Sequence, residues 1–543
     1  MIFAKTLVAK ISRNWHWIVG VGILLAFCSL ALSWVSSDFK NLTSWFEFFL
    51  LMLAGSGILW LGWWLVRELA PPRWLGFLLV GAAILRLALG TVWYVVLPSG
   101  GYASPAERVG YVMADAYNRD RAAWQIAQWH KPLERALPAI RAYKKFDQYG
   151  GMLLISAVVY RTLGGQTHQP LMMVVITASF SVLAVLFTWA FAQRAWGDQV
   201  AKLAAWGLTL YPEAILLGSS QMREAFLITL FTAAFYGLIR YLQVRSWKNL
   251  IWICVALLLS LPFSPPATAL VMVMLVFFAV IVGDGRLVRQ YKLWFILCGL
   301  ALVVLIVIWF AWSSYAPQGI SNPFSLFAWW LKISAGMQER LTRNLSGWIQ
   351  KIFATTPIWT HMPLLLMYGV VRPFLPATLV DASSTPIWRF IAIWRALGWT
   401  PVLLLLACAP LMAFRKPQPG KEISFYVSRG LTLVLWLAIL VASLRAGADE
   451  WDNPRYRAMF AGLQVALAAW VWVNYRRTRD PWLKRILVCL VLVLSWFVLW
   501  YLKRYTYFFW PVVDFFKTLG LGFASAVLYL IWDLARTSSE PQN

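Results

Sequence analysis

Residues 170–191 read PLMMVVITASFSVLAVLFTWAF, a run of 22 residues without one charged side chain. A run of this length can cross the hydrocarbon core of a bilayer as one α-helix, which needs about 20 residues. Inside lipid the backbone must satisfy its own hydrogen bonds, and a single helix does so without a partner. The stretch therefore predicts a membrane-spanning helix.

Similar apolar runs recur on both sides of this one, in a chain of 543 residues that is 61% hydrophobic and 13% charged. We expect an all-α, polytopic transmembrane helical bundle of about fourteen spans, with additional loop helices at the outer face. The predicted spans are 15–35, 45–66, 74–97, 170–191, 203–219, 225–243, 249–264, 266–283, 293–315, 390–413, 424–444, 459–474, 486–502 and 512–533.

The spans and the polar stretches between them predict five sections of chain. They are N-terminal spans (1–97), a first large outer loop (98–169), a core bundle (170–315), a second large outer loop (316–389) and a C-terminal bundle (390–543). An apolar, Pro-broken run at 362–376 is either part of the second loop, entering the membrane without crossing it, or a further span.

The formal net charge of +26 could indicate a nucleic-acid partner, but the Lys and Arg residues lie in short loops between apolar runs. That distribution is typical of the positive-inside rule, and it excludes nucleic acid as a partner. Lys5, Lys10 and Arg13 precede the first run, so we expect the N-terminus in the cytoplasm. An even number of spans returns the C-terminus to the same side.

The stretch Asp115-Ala-Tyr-Asn-Arg-Asp120 stands out in the first large outer loop. We predict a helix over 106–129 that carries both carboxylates near its middle, at the membrane face. There one carboxylate can act as a general base and the other as its electrostatic partner. The alternative is a solvated loop helix of alternating charge.

Two further stretches carry carboxylates. In Asp147-Gln-Tyr149-Gly-Gly, the carboxylate can hydrogen-bond a sugar hydroxyl. The two glycines that follow permit a ligand to approach the backbone closely. The alternative is that this stretch is simply the end of a loop. Glu213, in Tyr211-Pro-Glu, lies inside a predicted span. A carboxylate in that position must be paired or face a cavity, because an isolated charge in lipid is costly.

Two stretches carry arginine at predicted outer ends of spans. Arg223 and Glu224 lie where one span ends and the next begins, and the alternative to substrate binding is a loop ion pair. In Asn-Pro-Arg455-Tyr456-Arg457, two permanently charged guanidinium groups flank a tyrosine and are suited to clamp a phosphate. The alternative is binding of lipid headgroups by interfacial residues.

These stretches, in this order, resemble the GT-C-fold membrane glycosyltransferases that use lipid-phosphate sugars, in particular the protein O-mannosyltransferase and aminoarabinose transferase branch. Asp115 and Asp120 match the acidic motif of the first large outer loop, and Glu224 matches a second acidic position at the end of a span. Asn-Pro-Arg455-Tyr456-Arg457 resembles an Arg-Tyr motif of bacterial members. The similarity covers about 100–245 and a short segment near 445–460.

The resemblance implies a polyprenyl-phosphate sugar donor and inverting transfer to an acceptor hydroxyl of a glycan, lipid or protein. The site would lie on the outer face of a bacterial cytoplasmic membrane. Asp115 and Asp120 are the implied catalytic residues. The implied substrate-binding residues are Asp147, Tyr149, Arg223, Glu224, Arg455, Tyr456 and Arg457. No cofactor is certain; some members use Mn²⁺ or Mg²⁺, and the sequence shows no decisive ligand set for either.

The chain departs from the family pattern in three respects. Two extra spans precede the acidic loop, the adjacent Asp-Glu pair is absent, and Asp147-Gln-Tyr149 stands in place of a His-Pro-Pro. Two other classes share the composition: a transporter or flippase of a lipid-linked saccharide, and a polysaccharide polymerase or ligase of another fold. The clustering of carboxylates at one membrane face favours the glycosyltransferase.

Overall fold

The computed structural model describes residues 15–37, 42–128, 132–133, 149–165, 167–283, 347–380, 384–415, 422–447 and 449–539, with the single residues 325, 328, 332 and 336. Among these residues every regular element is helical. The α-helices are α1 (Trp15–Ser37), α2 (Leu42–Leu65), α3 (Arg73–Gly100), α4 (Ala114–Gln128), α5 (Gly151–Thr162), α6 (Leu171–Trp196), α7 (Asp198–Leu210), α8 (Pro212–Gly218), α9 (Arg223–Gln243), α10 (Trp247–Ser260), α11 (Pro265–Val282), α12 (Gly347–Thr355), α13 (Ile358–Val371), α14 (Leu375–Val380), α15 (Pro386–Ala413), α16 (Glu422–Ala446), α17 (Asp452–Ala458), α18 (Ala461–Thr478), α19 (Pro481–Tyr505) and α20 (Phe515–Ser539).

Ten of the described helices are long and apolar enough to cross a membrane, or up to twelve if two bent pairs each form one span. The chain is thus a multi-pass helical membrane protein, and the predicted all-α class is confirmed. The count of about fourteen is not confirmed. Helix α10 has 14 residues, which is short for a span. The predicted span at 293–315 lies outside the described residues.

The two bent pairs are α7 with α8, at 56°, and α17 with α18, at 71°. The first break falls at Tyr211, immediately before Pro212. Proline lacks an N–H and disfavours helical backbone in the residue before it, so a helix ends there and another begins. Glu213 is therefore in the first turn of a new helix and not within the continuous span that 203–219 predicted.

The chain divides into two compact units. The first comprises 1–99, 103–183 and 218–223, and the second comprises 100–102, 184–217 and 224–543. In the first unit α1 packs on α2, and α4 packs on α5. Both α4, with 15 residues, and α5, with 12, are shorter than a membrane span.

In the second unit α7 and α15 pack on α18, while α11, α13 and α15 pack on α16. Helices α19 and α20 form an antiparallel terminal hairpin. The N-terminus of α19 is capped by Asp480, which accepts a hydrogen bond from the backbone N–H of Trp482 at 2.8 Å. Pro481 occupies the first helical position, where proline is favoured. The run 362–376 falls on α13 and α14; α13 has 14 residues and is an apolar helix below span length.

Candidate functional site

Helix α4 presents Asp115 to solvent in its first turn. The predicted helix over 106–129 was too long at its start, because a short 3₁₀ turn (Glu107–Val109) ends at Gly110 with φ 82° and α4 begins only at Ala114. A Cβ at Gly110 would lie 2.6 Å from backbone atoms of Tyr94, so only glycine fits this reversal. Asp115 is consequently near the helix N-terminus, where the helix dipole favours a carboxylate.

Asp120, one and a half turns later, is buried and held by three side chains. Its exposed fraction is 1%. Tyr111 donates a hydrogen bond to Oδ2 at 2.5 Å, and the Tyr160 hydroxyl lies 2.7 and 2.8 Å from the two carboxylate oxygens. His168 Nε2 lies 2.9 Å from Oδ2. We call Tyr111, Tyr160, His168 and the carboxylate they surround the Asp120 cage.

The electrostatics of the Asp120 cage keep both tyrosines protonated. Burial, and then the adjacent carboxylate, raise the pKa of Tyr111 and of Tyr160 well above the ordinary value of 10.0. Trp124 packs against the outside of the cage, with ring centroids 5.5 Å from Tyr160 and 5.3 Å from His168. The cage thus fixes α4 to α5 and to the segment that leads into α6.

A second set of contacts in the same unit holds the other face of α4. Buried Arg119 donates to the backbone carbonyl of Gln221 at 2.8 Å, and the Gln221 side chain donates to the carbonyl of Pro170 at 2.7 Å. Two predicted substrate-binding residues also meet here, because the Arg223 guanidinium carbon lies 5.3 Å from the centroid of the Tyr149 ring. This is a cation–π distance.

A cavity beside Tyr111 is far too small for a sugar. It is lined by Trp93, Tyr111, Ser219 and Gln221 among others, and its volume is about 20 Å³. That is room for one water molecule. This cavity therefore offers no volume for a sugar next to Tyr111.

In the second unit, Glu213 and Arg395 form a buried, bidentate ion pair. Arg395 Nε donates to Oε2 at 2.7 Å and Nη2 donates to Oε1 at 3.1 Å. The guanidinium group also lies over the ring of Trp451, 4.3 Å from its centroid. The expectation that Glu213 must be paired holds, and the partner is an arginine of the span α15.

Glu224 and Arg455 form a second buried pair in this unit. Arg455 donates to Glu224 Oε1 at 3.0 Å and to Asp452 Oδ1 at 3.1 Å. Tyr456 lies on the same short helix, and its hydroxyl donates to Asp452 Oδ2 at 3.3 Å. Arg455 is thus neutralised by two carboxylates, which leaves it less suited to binding a phosphate than the sequence indicated.

Arg457 differs from these arginines in its surroundings. It is 1% exposed, and its guanidinium carbon lies 3.5 Å from the centroid of the Trp399 ring. Its Nη1 points to the carbonyls of Gly369 and Val370 at 3.4 and 3.5 Å, and its side chain also hydrogen-bonds Tyr211. Its Nε, like that of Arg455, has no hydrogen-bond partner among the described residues. Such a guanidinium keeps donor capacity for an anion.

Two predicted features of the site remain to be placed: a metal ion and Asp147. Asp147 lies outside the described residues. In the part of the chain that the structure describes, no group of three or more His, Cys, Asp or Glu side chains could hold a metal ion. The oxygens of Asp120 are already occupied by donors, which makes it a poor ligand there.

Sequence reasoning missed five residues that shape these clusters: Tyr111, Tyr160, His168, Arg395 and Trp399. For Arg395 a signal existed, because an arginine inside an apolar run is costly and is usually paired. Nothing in the local sequence marks Tyr160 or His168, because their partner Asp120 is 40 and 48 residues away. Tyr111 is nine residues from Asp120, but it precedes the helix and is brought to the carboxylate by the turn at Gly110.

No protein-family model matches the chain, and no curated protein sequence matches it. Among solved structures, it is similar to the archaeal oligosaccharyltransferase AglB from Archaeoglobus fulgidus in complex with an inhibitory peptide and a dolichol-phosphate, with 14% identity and a TM-score of 0.41. It is also similar to an oligosaccharyltransferase from Archaeoglobus fulgidus in the apo form, with 15% identity and a TM-score of 0.42. Each match covers 84% of this chain and 56% of the other, so the chain spans little more than half the length of those proteins.

Proposed function

We propose that this protein is a membrane glycosyltransferase of GT-C type that moves a sugar from a polyprenyl-phosphate donor to an acceptor hydroxyl. The acceptor is a glycan, a lipid or a protein, and the site faces the outer side of a bacterial cytoplasmic membrane, with both chain termini in the cytoplasm. One observation carries the proposal: Asp115 is exposed in the first turn of a helix that the buried Asp120 cage holds in place.

Asp115 acts as the general base. It takes the proton of the acceptor hydroxyl while that oxygen forms a bond to the anomeric carbon of the sugar. The bond from the anomeric carbon to the phosphate oxygen breaks, and polyprenyl phosphate leaves with the electron pair. Attack from the face opposite the phosphate inverts the anomeric carbon. Asp120 positions α4, and its three hydrogen-bonding neighbours support that role.

Arg457 stabilises the charge that grows on the leaving phosphate. A preorganised cation in a site that excludes water is worth most where charge develops. Its place against Trp399 supports this assignment, whereas Arg455 is engaged by Glu224 and Asp452. Among the other predicted substrate-binding residues, we assign Asp147, Tyr149, Arg223 and Tyr456 to the sugar or acceptor, while Glu224 orients Arg455.

A second candidate function is transport of a lipid-linked saccharide. The buried pair of Glu213 with Arg395 favours it, because ionisable residues within spans commonly mark a substrate or ion path. The exposed carboxylate at the start of α4 favours the enzyme, since transport needs no base at the membrane face.

Sugar transfer by the purified protein in nanodiscs tests the proposal. The donors are radiolabelled polyprenyl-phosphate sugars, tested with Mn²⁺, with Mg²⁺ and with a chelator. Asp115→Asn is compared with wild type and with Asp198→Asn, a matched control that changes another exposed acid in the first turn of a helix. We expect transfer by wild type and by the control, and a loss of about 10²–10⁴-fold for Asp115→Asn.

Three other results of this experiment would each lead to a different conclusion. Undiminished transfer by Asp115→Asn moves the base to another residue and keeps the enzyme. Transfer that stops only with the chelator assigns an essential metal. Absence of transfer in every condition, together with movement of donor across the bilayer of sealed proteoliposomes, supports the transporter instead.

A further inference from the structure

Helix α2 contacts the connection between α5 and α6 through buried polar side chains. Glu47 of α2 is 9% exposed, and its Oε2 accepts a hydrogen bond from Nε2 of Gln169 at 3.1 Å. Gln169 is 2% exposed, and its Oε1 accepts a hydrogen bond from the hydroxyl of Ser44 at 2.7 Å. We call Ser44, Glu47 and Gln169 the Glu47 cluster. Buried polar groups need hydrogen-bond partners, and these groups find them across the interface between α2 and the connection.

The same carboxylate also contacts an earlier residue of the connection. The backbone N–H of Gly165 donates a hydrogen bond to Glu47. A Cβ at Gly165 would lie 2.8 Å from Glu47 Oε1, so any larger residue there would push the carboxylate aside. Glu47 therefore holds the chain on both sides of His168, once at Gly165 and once at Gln169.

His168 lies between these two contacts, and it is the residue of the connection that reaches α4. Its Nε2 lies 2.9 Å from Oδ2 of Asp120, although its side chain is 28% exposed. A hydrogen bond weakens steeply when its distance or angle departs from the optimum. The contact with Asp120 thus depends on where the backbone at His168 is placed, and Glu47 fixes that backbone on both sides.

The alternative is that the Glu47 cluster only docks the N-terminal helices. Only 22% of each spanning window of α1 and α2 is buried within the protein. Apolar contacts could hold such helices without burying a carboxylate, which is costly unless it is hydrogen-bonded. What hydrogen bonds add to apolar packing is direction, because a satisfied polar network specifies one arrangement. A carboxylate at this position therefore favours a role in orienting the connection.

We infer that Glu47 is a positioning residue for His168 and, through His168, for the Asp120 cage and α4. Its effect on His168 is independent of what the protein catalyses. Its consequence for catalysis rests on the proposed function, because α4 carries Asp115. Displacement of His168 should then slow glycosyl transfer.

Magic-angle-spinning NMR of the full chain in lipid, labelled with ¹⁵N-histidine, observes His168 directly. The chain has four histidines, and His168→Gln identifies the signal of His168. The ¹⁵N shifts report which ring nitrogen carries the proton, and the hydrogen bond of the ring determines this. We expect one tautomer, protonated at Nε2, in wild type. Glu47→Met removes both acceptor oxygens at similar side-chain size, and it should shift the signal towards a mixture of tautomers.

Three further variants separate this role from general damage. Glu47→Gln should keep most of the wild-type signal, because Gln169 can turn its amide and the Ser44 hydroxyl both donates and accepts. Gly165→Ala displaces the carboxylate without removing a polar group, and it should shift the signal in the same direction as Glu47→Met. Gly57→Ala is the matched control in α2, because its added Cβ meets nothing within 4 Å. It should leave the signal unchanged.

Sugar transfer is measured on the same preparations. We expect Glu47→Met to lower kcat by about 10–100-fold, because small misplacements of catalytic groups have effects of that order. Glu47→Gln should recover most of the activity, and Gly57→Ala should transfer like wild type.

The two readouts make the possible failures distinguishable. An unchanged His168 signal in Glu47→Met and Gly165→Ala would overturn the inference even if transfer fell, because Glu47 would then act elsewhere. A shifted signal with unchanged transfer would also overturn it, since His168 would then not position α4 for the reaction. A wild-type protein that transfers no sugar would contradict the proposed function alone, and the His168 signal would still decide whether Glu47 positions His168.

Discussion

His168 Nε2 lies 2.9 Å from Asp120 Oδ2, and this contact joins the segment that enters α6 to the buried side of α4. The two residues differ in access to water, since the Asp120 side chain is 1% exposed and that of His168 is 28% exposed. Carboxylate oxygens accept hydrogen bonds, so the His168 tautomer with its proton on Nε2 is the one that donates in this contact. The buried Asp120 carboxylate is thus contacted by a side chain that is partly exposed to water.

Asp120→Asn should destabilise the protein more than Asp115→Asn. The first change replaces one of two acceptor oxygens by an NH₂ group that faces donors, and an unsatisfied buried polar group costs about 1–3 kcal/mol. Asp115 is exposed in the first turn of α4, where a carboxylate contributes about 0.3–1 kcal/mol through the helix dipole, so its loss should cost less. Thermal unfolding in detergent measures both; equal midpoints for the two variants would mean that the Asp120 cage does not hold α4.

The Asp120 cage should also make stability depend on alkaline pH. The folded protein raises the pKa of Tyr111 and Tyr160 above 10, so it keeps protons that the unfolded chain loses. This contribution is fully present below about pH 10 and is lost as the pH rises above that value. Because the hydroxyls are absent in the double variant Tyr111→Phe/Tyr160→Phe, its stability should fall less steeply between pH 9 and 11.

A suitable control for the alkaline experiment is Tyr507→Phe, which removes a fully exposed hydroxyl. Its unfolding midpoint should follow that of wild type across the pH series. If the double phenylalanine variant follows wild type as closely, the tyrosines are not the source of the pH dependence.

Breaking the pair of Glu213 with Arg395 should be among the most damaging single changes. Glu213→Gln leaves Arg395 buried without its counter-charge, and removing one partner of a buried pair costs about 3–5 kcal/mol. Replacing both residues by apolar ones, as in Glu213→Leu/Arg395→Met, should be much less destabilising. Unfolding midpoints of the single and double variants decide this; a double variant as unstable as the single one would contradict the pair-based explanation.

The spans could be predicted from the sequence because their signal is local. A run such as 170–191 is apolar over its whole length, and its helix α6 is found at Leu171–Trp196. The clusters could not be predicted, because most of their members are distant along the chain. Asp120 is 40 residues from Tyr160 and 48 from His168, and Glu213 is 182 residues from Arg395.

The arginine motif at 455–457 also shows what sequence cannot predict: residues that are neighbours along the chain can have different surroundings in the fold. The sequence indicates that Arg455 and Arg457 are equivalent donors on either side of Tyr456. Folding separates them, because Asp452 is three residues before Arg455 on the same helix and Glu224 approaches from another helix. In the fold Arg455 contacts two carboxylates, whereas Arg457 lies against the Trp399 ring.

Arg457→Lys should reduce glycosyl transfer by about 10²–10³-fold while the protein stays folded. Lysine retains the charge, but it lacks the planar fork that stacks on Trp399 and donates to a phosphate. If Arg457 acts on the leaving phosphate in the transition state, kcat and kcat/KM fall together. Steady-state kinetics with a polyprenyl-phosphate sugar, beside Arg476→Lys as control, measure this. A rise in KM alone, with kcat unchanged, would show that Arg457 binds the donor without contributing to the chemical step.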